Sequence, residues 1–199
     1  MKYLLFAGIF ILFMGCRKTT VEQGVDLSGY KLESIEGSNA KQAIKRDAEG
    51  KIIEEGTVVN GKMWGTWLYY EGVSKFPRKI ITYVDGIYNG PYFELGENGQ
   101  IQVKAIYKNN KLNGEWGKYS FSRPLEEGTY VDGKLDGVYK EYNLRDGKMI
   151  KETNYSDGVL NGPMRYYNEK EEVTVEYIYK NGERIGGGMK NTAAANDPK

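Results

Sequence analysis

The stretch Asp132-Gly133-Lys134-Leu135-Asp136-Gly137-Val138-Tyr139-Lys140-Glu141-Tyr142 decides the fold. Asp-Gly favours the positive φ angles of a two-residue hairpin turn. The residues that follow include β-branched and aromatic side chains, which strands prefer. A short connection of this kind forces the flanking strands to pair antiparallel, so the stretch predicts one β-hairpin.

The same unit recurs along the chain as six anchors. They span residues 60–65, 85–90, 109–114, 132–137, 157–162 and 181–186, and each ends on a second glycine. Successive second glycines lie 25, 24, 23, 25 and 24 residues apart, and a constant period of this length marks a repeat architecture. We expect the anchor glycines to be turn residues: Gly61, Gly65, Gly86, Gly90, Gly114, Gly133, Gly137, Gly158 and Gly162.

Aromatic residues recur at fixed offsets from each anchor. Rings two residues before an anchor and two residues after its second glycine are expected to form a ladder that holds the sheet together, or a binding surface. These candidates are Tyr83, Tyr107, Tyr130, Tyr155, Tyr179, Trp67, Tyr92, Trp116 and Tyr139. A third set follows the second glycine by five residues, at Tyr70, Leu95, Tyr119, Tyr142 and Tyr167.

The repeats predict an all-β fold, an elongated single antiparallel meander of about six hairpins of 23–25 residues. Further turn signals, such as Glu97-Asn98-Gly99, lie midway between anchors. Rings two and five residues after the second glycine have opposite parity. Either both sheet faces carry rings or a bulge lies between the two positions, and we favour rings on both faces.

The first sixteen residues are typical of an export signal. A short positive start precedes an apolar run from Tyr3 to Met14, which is too short to span a bilayer and ends at Gly15-Cys16. A small residue before a lone cysteine resembles the lipobox of bacterial lipoproteins. That resemblance implies cleavage before Cys16, lipidation of Cys16 and, because no Asp follows the cysteine, anchoring in the outer membrane.

The chain therefore divides into four predicted regions. These are a lipoprotein signal peptide at 1–15, a lipid anchor and polar tether at 16–40, a repeat domain at 41–187 and a disordered tail at 188–199.

Composition weighs against several functions. A net charge of +1 without a large basic cluster argues against nucleic acid. The sequence has no histidine and one cysteine, so the commonest general base and the usual zinc ligands are missing. We expect no catalytic residue, no metal and no cofactor.

The anchor and its rings, read as Asp/Asn-Gly-Lys-Leu-Asn-Gly-x-Trp/Tyr-x-x-Tyr, resemble the bacterial variant of the MORN repeat over about residues 45 to 187. Three copies depart from the pattern, at Asn110, Met164 and Gly187-Gly188, which puts the continuity of the ladder in question from the third copy onward. The resemblance implies a scaffold, and proteins of this pattern are similar to YwqK-type antitoxin components. For an exported protein this would mean an immunity-like role.

Two functions stay open. The first is a membrane-anchored interaction module or scaffold that binds a protein partner through a ring face or a sheet edge. The alternative is a structural envelope lipoprotein that contacts lipid or glycan.

Overall fold

The computed structural model describes residues 26–72 and 74–190. These residues form one antiparallel sheet of fifteen strands, and no helix occurs among them. The strands are β1 (Lys31–Ser34), β2 (Ala40–Arg46), β3 (Ile52–Val59), β4 (Lys62–Tyr69), β5 (Lys79–Val84), β6 (Ile87–Leu95), β7 (Ile101–Lys108), β8 (Lys111–Ser120), β9 (Arg123–Val131), β10 (Lys134–Leu135), β11 (Gly137–Tyr142), β12 (Met149–Ser156), β13 (Val159–Tyr167), β14 (Val173–Lys180) and β15 (Glu183–Met189).

The strands pair in chain order, from β1 at one edge to β15 at the other, and the short β10 pairs with β9. The sheet is open, because the described strands at its two edges do not pair with each other. The predicted all-β meander is therefore confirmed.

Two-residue turns close one end of the sheet, which we call the Asn-Gly end. In Asn60-Gly61 both residues have positive φ, 50° and 77°, as a type I′ turn requires. Asn109-Asn110 adopts the same geometry at 51° and 63°, since asparagine tolerates this conformation better than other non-glycine residues. Turns at the opposite end, the far end, vary in length, with two residues at 121–122 and six at 143–148.

The second glycine of each anchor is not a turn residue, so that part of the turn prediction is wrong. Five of these six glycines lie inside strands, beside a shift in the pairing register, and Gly137 is the first residue of β11. In β6, Tyr88 and Tyr92 pair with Tyr83 and Ile81, so the strand carries two extra residues around Gly90. Its φ of 126° is a conformation that side chains disfavour, and glycine therefore marks a bulge. The bulge glycines are Gly65, Gly90, Gly114, Gly137 and Gly162.

The parity question has a structural answer. Tyr92 pairs with Ala105, and Ala105 pairs with Trp116, so these rings share one face, the ring face. Tyr119 and Tyr142 reach Glu127 on the opposite face. Both faces carry rings, and a register shift also occurs next to Tyr142, where Ile150 is the extra residue in the following strand.

The buried core is small and lies on the ring face. It contains Ala43, Val58, Met63, Trp67, Ile81 and Tyr83. Trp67 is fully buried because its ring lies over Gly56, where a Cβ atom would come within 2.3 Å of the indole. In a hairpin, a large ring on the second strand thus packs over a small residue on the first strand, as Tyr139 of β11 also does over Gly128 of β9.

The boundary predicted between tether and repeats is too late. Leu27 and Tyr30 already pack against the core, and β1 pairs with β2. At the other end β15 continues to Met189, beyond the predicted start of the tail. The predicted signal peptide, Cys16, the first part of the tether and residues 191–199 lie outside the described residues.

Candidate functional site

The predicted ring candidates form a chain of contacts through the first repeats. Trp67 meets Tyr83 edge to face at 6.3 Å, and Tyr83 meets Tyr88 at 5.1 Å. Tyr107 closes against Tyr88 and Tyr92, both at 5.4 Å. Tyr88 was not among the predicted candidates, although it completes the ladder.

A second chain of rings occupies the later repeats. Trp116 stacks on Tyr139 at 6.2 Å and also meets Tyr130, and Tyr139 meets Tyr155. Within the described part of the chain, no ring contact joins Tyr107 to Trp116. The ladder is therefore interrupted inside the third repeat, and Tyr179 lies beyond its last contact.

The ring hydroxyls are also engaged. Tyr92 donates a hydrogen bond to Glu94 at 2.6 Å, and Tyr139 donates one to Glu126. Burial and the bond to Glu126 raise the pKa of Tyr139. These bonds and the ring contacts both serve the cohesion of the sheet.

Tyrosines on the opposite face bind glutamates in the same manner. Tyr70 donates to Glu55 at 2.8 Å, and Tyr142 donates to Glu127 at 2.9 Å. Burial and the glutamate bond raise the pKa of each of these two tyrosines to about 12.

A charged row crosses the opposite face in the last repeats. Arg165 lies between Glu152, at 2.5 Å, and Glu176, at 2.7 Å, and Lys190 also binds Glu176. These residues come from different repeats and were missed by sequence analysis. Both faces of the sheet therefore carry charge, so neither is an uninterrupted apolar surface.

The far end presents exposed apolar side chains, which the sequence analysis also missed. Phe121 is 79% exposed, Leu144 57% and Phe76 48%, and all three lie in or beside turns of this end. We call these three residues the far-end tips. A sequence signal existed, because Phe121-Ser122 replaces the Asn/Asp-Gly residues that a tight turn favours.

Phe121 and Ser122 have φ values of 48° and 63°, so they form the same kind of turn as Asn60-Gly61. Phenylalanine is an outlier in this conformation, which costs about 1–2 kcal/mol per residue. The chain thus holds a strained ring in solvent, where it adds nothing to the core. Strain of this sort points to a role outside folding.

Two kinds of feature are absent from residues 26–72 and 74–190. That region contains no group of three or more Cys, Asp or Glu side chains placed to hold a metal ion. It also contains no helix long and apolar enough to cross a bilayer.

No family model and no curated protein matches the chain. Among solved structures, the crystal structure of TarM matches with a TM-score of 0.32 and 15% identity, over 49% of this chain and 19% of TarM. A mutant of S. aureus TarM in complex with Fondaparinux, alpha-GlcNAc-glycerol and UDP matches with a TM-score of 0.25 and 13% identity, over 81% of this chain and 22% of TarM. The chain thus spans about a fifth of the length of TarM, and likenesses this weak carry no conclusion about activity.

Proposed function

We propose that this chain is a membrane-anchored, non-enzymatic repeat protein of the bacterial envelope that binds a protein partner through its far-end tips. The observation that carries the proposal is the exposed and strained Phe121, with Leu144 and Phe76 on the same end of the sheet. A bulky side chain held in a strained conformation and exposed to solvent is typical of a functional site.

The spacing of the tips suits an extended contact. Turns of one end lie two strands apart, so Phe76 and Leu144 are separated by six strand spacings, or roughly 29 Å. Ile101 and Ile150 are also exposed and begin or nearly begin strands at this end. The resemblance to antitoxin components would make the partner a toxin that arrives from outside, with this chain acting as an immunity protein.

In-cell photo-crosslinking of the full chain tests the proposal. A photoreactive phenylalanine analogue is placed at Phe121, at Leu144 and, as a matched control, at Ile185, which is 63% exposed on the edge strand β15. We expect discrete protein adducts at 121 and 144 and none at 185. Absence of adducts at 121 and 144, or equal adducts at all three positions, would contradict a specific partner.

A second candidate is contact between the same end and an anionic lipid surface. Arg123, Arg145 and Lys148 outnumber Asp146 in and beside the turns that carry Phe121 and Leu144, and basic residues around apolar tips suit such a surface. In the same crosslinking experiment this function predicts lipid adducts at Phe121 and Leu144, identified by mass spectrometry, in place of protein adducts.

A further inference from the structure

The third repeat breaks a pattern on the opposite face. At one register position, three hairpins have a glutamate on the first strand and a long side chain on the second: Glu55 pairs with Leu68, Glu127 with Lys140 and Glu152 with Arg165. The second hairpin has Ile80 against Phe93 and the last has Glu176 against Gly188, so a cation occupies this position in the third hairpin alone. In the third repeat Lys104 pairs with Gly117 instead. A cation thus replaces the anion, and the facing side chain is missing.

Because the third repeat has no glutamate at this position, the side chain of Tyr119 takes a different direction from those of Tyr70 and Tyr142. Tyr70 and Tyr142 donate to the glutamates of their own repeats, but Tyr119 has Lys104 at that position. Its ring instead lies over Gly117, where a Cβ atom would come within 2.5 Å of the hydroxyl oxygen, and its hydroxyl approaches Glu127 at 3.5 Å. Tyr119 therefore forms part of the floor of a depression.

The depression is an open cleft of about 510 Å³ on the opposite face. Such a volume falls in the range of small-molecule sites, roughly 300–1,000 Å³. Its polar lining comes from four adjacent strands: Lys104, Glu115, Tyr119, Glu127, Thr129 and Lys140.

The lining has no net charge, because two lysines balance two glutamates. Lys104 binds Glu115 at 2.9 Å, an exposed pair that holds little energy and can rearrange. Lys140 forms no ion pair within the described residues, although Glu127 and Glu152 are its partners on the two neighbouring strands. The cleft thus offers ammonium and hydroxyl donors, carboxylate acceptors and one ring.

We propose that this cleft binds a neutral saccharide of one or two rings. A balanced lining gives no advantage to a strongly charged ligand. Sugar hydroxyls can accept from Lys140 and donate to Glu127 at once, because each is both donor and acceptor. Tyr119 supplies an apolar ring face for the sugar C–H groups, and its hydroxyl lies beside Glu127 in the cleft. None of the three far-end tips lines the cleft.

Saturation-transfer NMR tests the proposal. The full chain in detergent micelles is mixed with maltose or with N,N′-diacetylchitobiose, two neutral disaccharides, at concentrations on the order of millimolar. We expect saturable transfer to sugar C–H protons. Tyr119→Ala should abolish this transfer. Gly117→Leu should abolish it too, because it places in the third repeat the leucine that the first repeat has at the equivalent position, Leu68. Tyr70→Ala, the equivalent tyrosine outside the cleft, should leave it unchanged.

Two further arms make the outcome decisive. Circular dichroism shows whether each variant keeps its β-sheet. Phe121→Ser changes the proposed partner surface and should leave sugar binding unchanged, so the two proposals can fail independently. Absence of transfer from both sugars would overturn the proposal. So would transfer that survives both cleft variants in folded protein, or a strong preference for an acidic or basic sugar over the neutral pair.

Discussion

At the scale of single residues, the sheet depends on rings that lie over glycine. A methyl group at Gly56 would fall 2.3 Å from the indole of Trp67. Gly56→Ala should therefore lower the free energy of unfolding by about 1–3 kcal/mol, the usual cost of overpacking. Urea denaturation measures this change.

The matched control for Gly56→Ala is Gly186→Ala. Nothing lies within 4 Å of a Cβ atom at Gly186, and no positive φ is recorded there. The control should change stability little, and an equal loss in both variants would show that the ring contact is not the cause.

Thr153 is a buried polar residue without a hydrogen bond to its hydroxyl among the described residues. It is 1% exposed and pairs with Tyr139 and Met164 on the ring face. Thr153→Val keeps the shape and removes the unsatisfied oxygen, so the free energy of unfolding should rise by about 1 kcal/mol or more. Thr153→Ser keeps the hydroxyl and loses a methyl group, so it should be less stable than the wild type. A less stable Val variant would imply a partner for the hydroxyl.

At the scale of elements, the turn at Phe121-Ser122 is expected to lower the stability of the sheet while it serves the proposed partner contact. Replacing it with Asn-Gly gives this turn the residues of the Asn60-Gly61 turn. The free energy of unfolding should increase by about 1–2 kcal/mol, since the left-handed conformation no longer opposes a bulky side chain. Chemical denaturation measures the gain, and the same variant should lose its crosslinked partner. A loss of stability would refute the account of strain.

The interruption of the ring ladder is a second feature at the scale of elements. Ring contacts run from Tyr30 to Tyr107 and again from Trp116 to Tyr155. Since a repeat stack is held by contacts between neighbours, an interruption weakens the coupling between the two halves.

At the scale of the whole molecule, packing is uneven. All eight buried hydrophobic residues of the described chain fall between Ala43 and Ala105. Hydrogen exchange should therefore be slowest in β3–β5 and faster in β12–β15, because local opening follows the density of buried contacts. Mass spectrometry after deuterium labelling resolves the two regions. Equal protection along the sheet would mean that the strands open as one unit.

The buried tyrosines predict a loss of stability at high pH. Burial raises the pKa of Tyr69, Tyr70 and Tyr142 to about 12 in the folded protein, from an ordinary value near 10. Between these values the unfolded chain has lost the tyrosine protons and the folded chain keeps them, so rising pH favours unfolding. The stabilisation is complete below pH 10 and disappears as pH rises through 12.

Thermal melts from pH 8 to 12 check this dependence, with ultraviolet titration of tyrosine as the independent measure. Tyr142→Phe removes one of the titrating groups and should reduce the slope of stability against pH. An unchanged melting temperature up to pH 12 would contradict the raised pKa values of these tyrosines.

The sequence by itself determined the order and pairing of the strands. Asn60-Gly61 and Asp85-Gly86 select a tight turn through their own φ preferences, and short connections leave antiparallel neighbours as the only outcome. These are local effects, and a repeat with a constant period carries them along the whole chain.

Only the tertiary structure decided what each position does within the sheet. Gly65 and Gly90 resemble turn residues in sequence, but the register of the neighbouring strands makes them bulges. The cleft beside Gly117 depends on Lys104 and Lys140, which lie on strands three places apart. Cross-strand partners set burial and charge in a sheet, and those partners are fixed by pairing between residues that are distant in the chain.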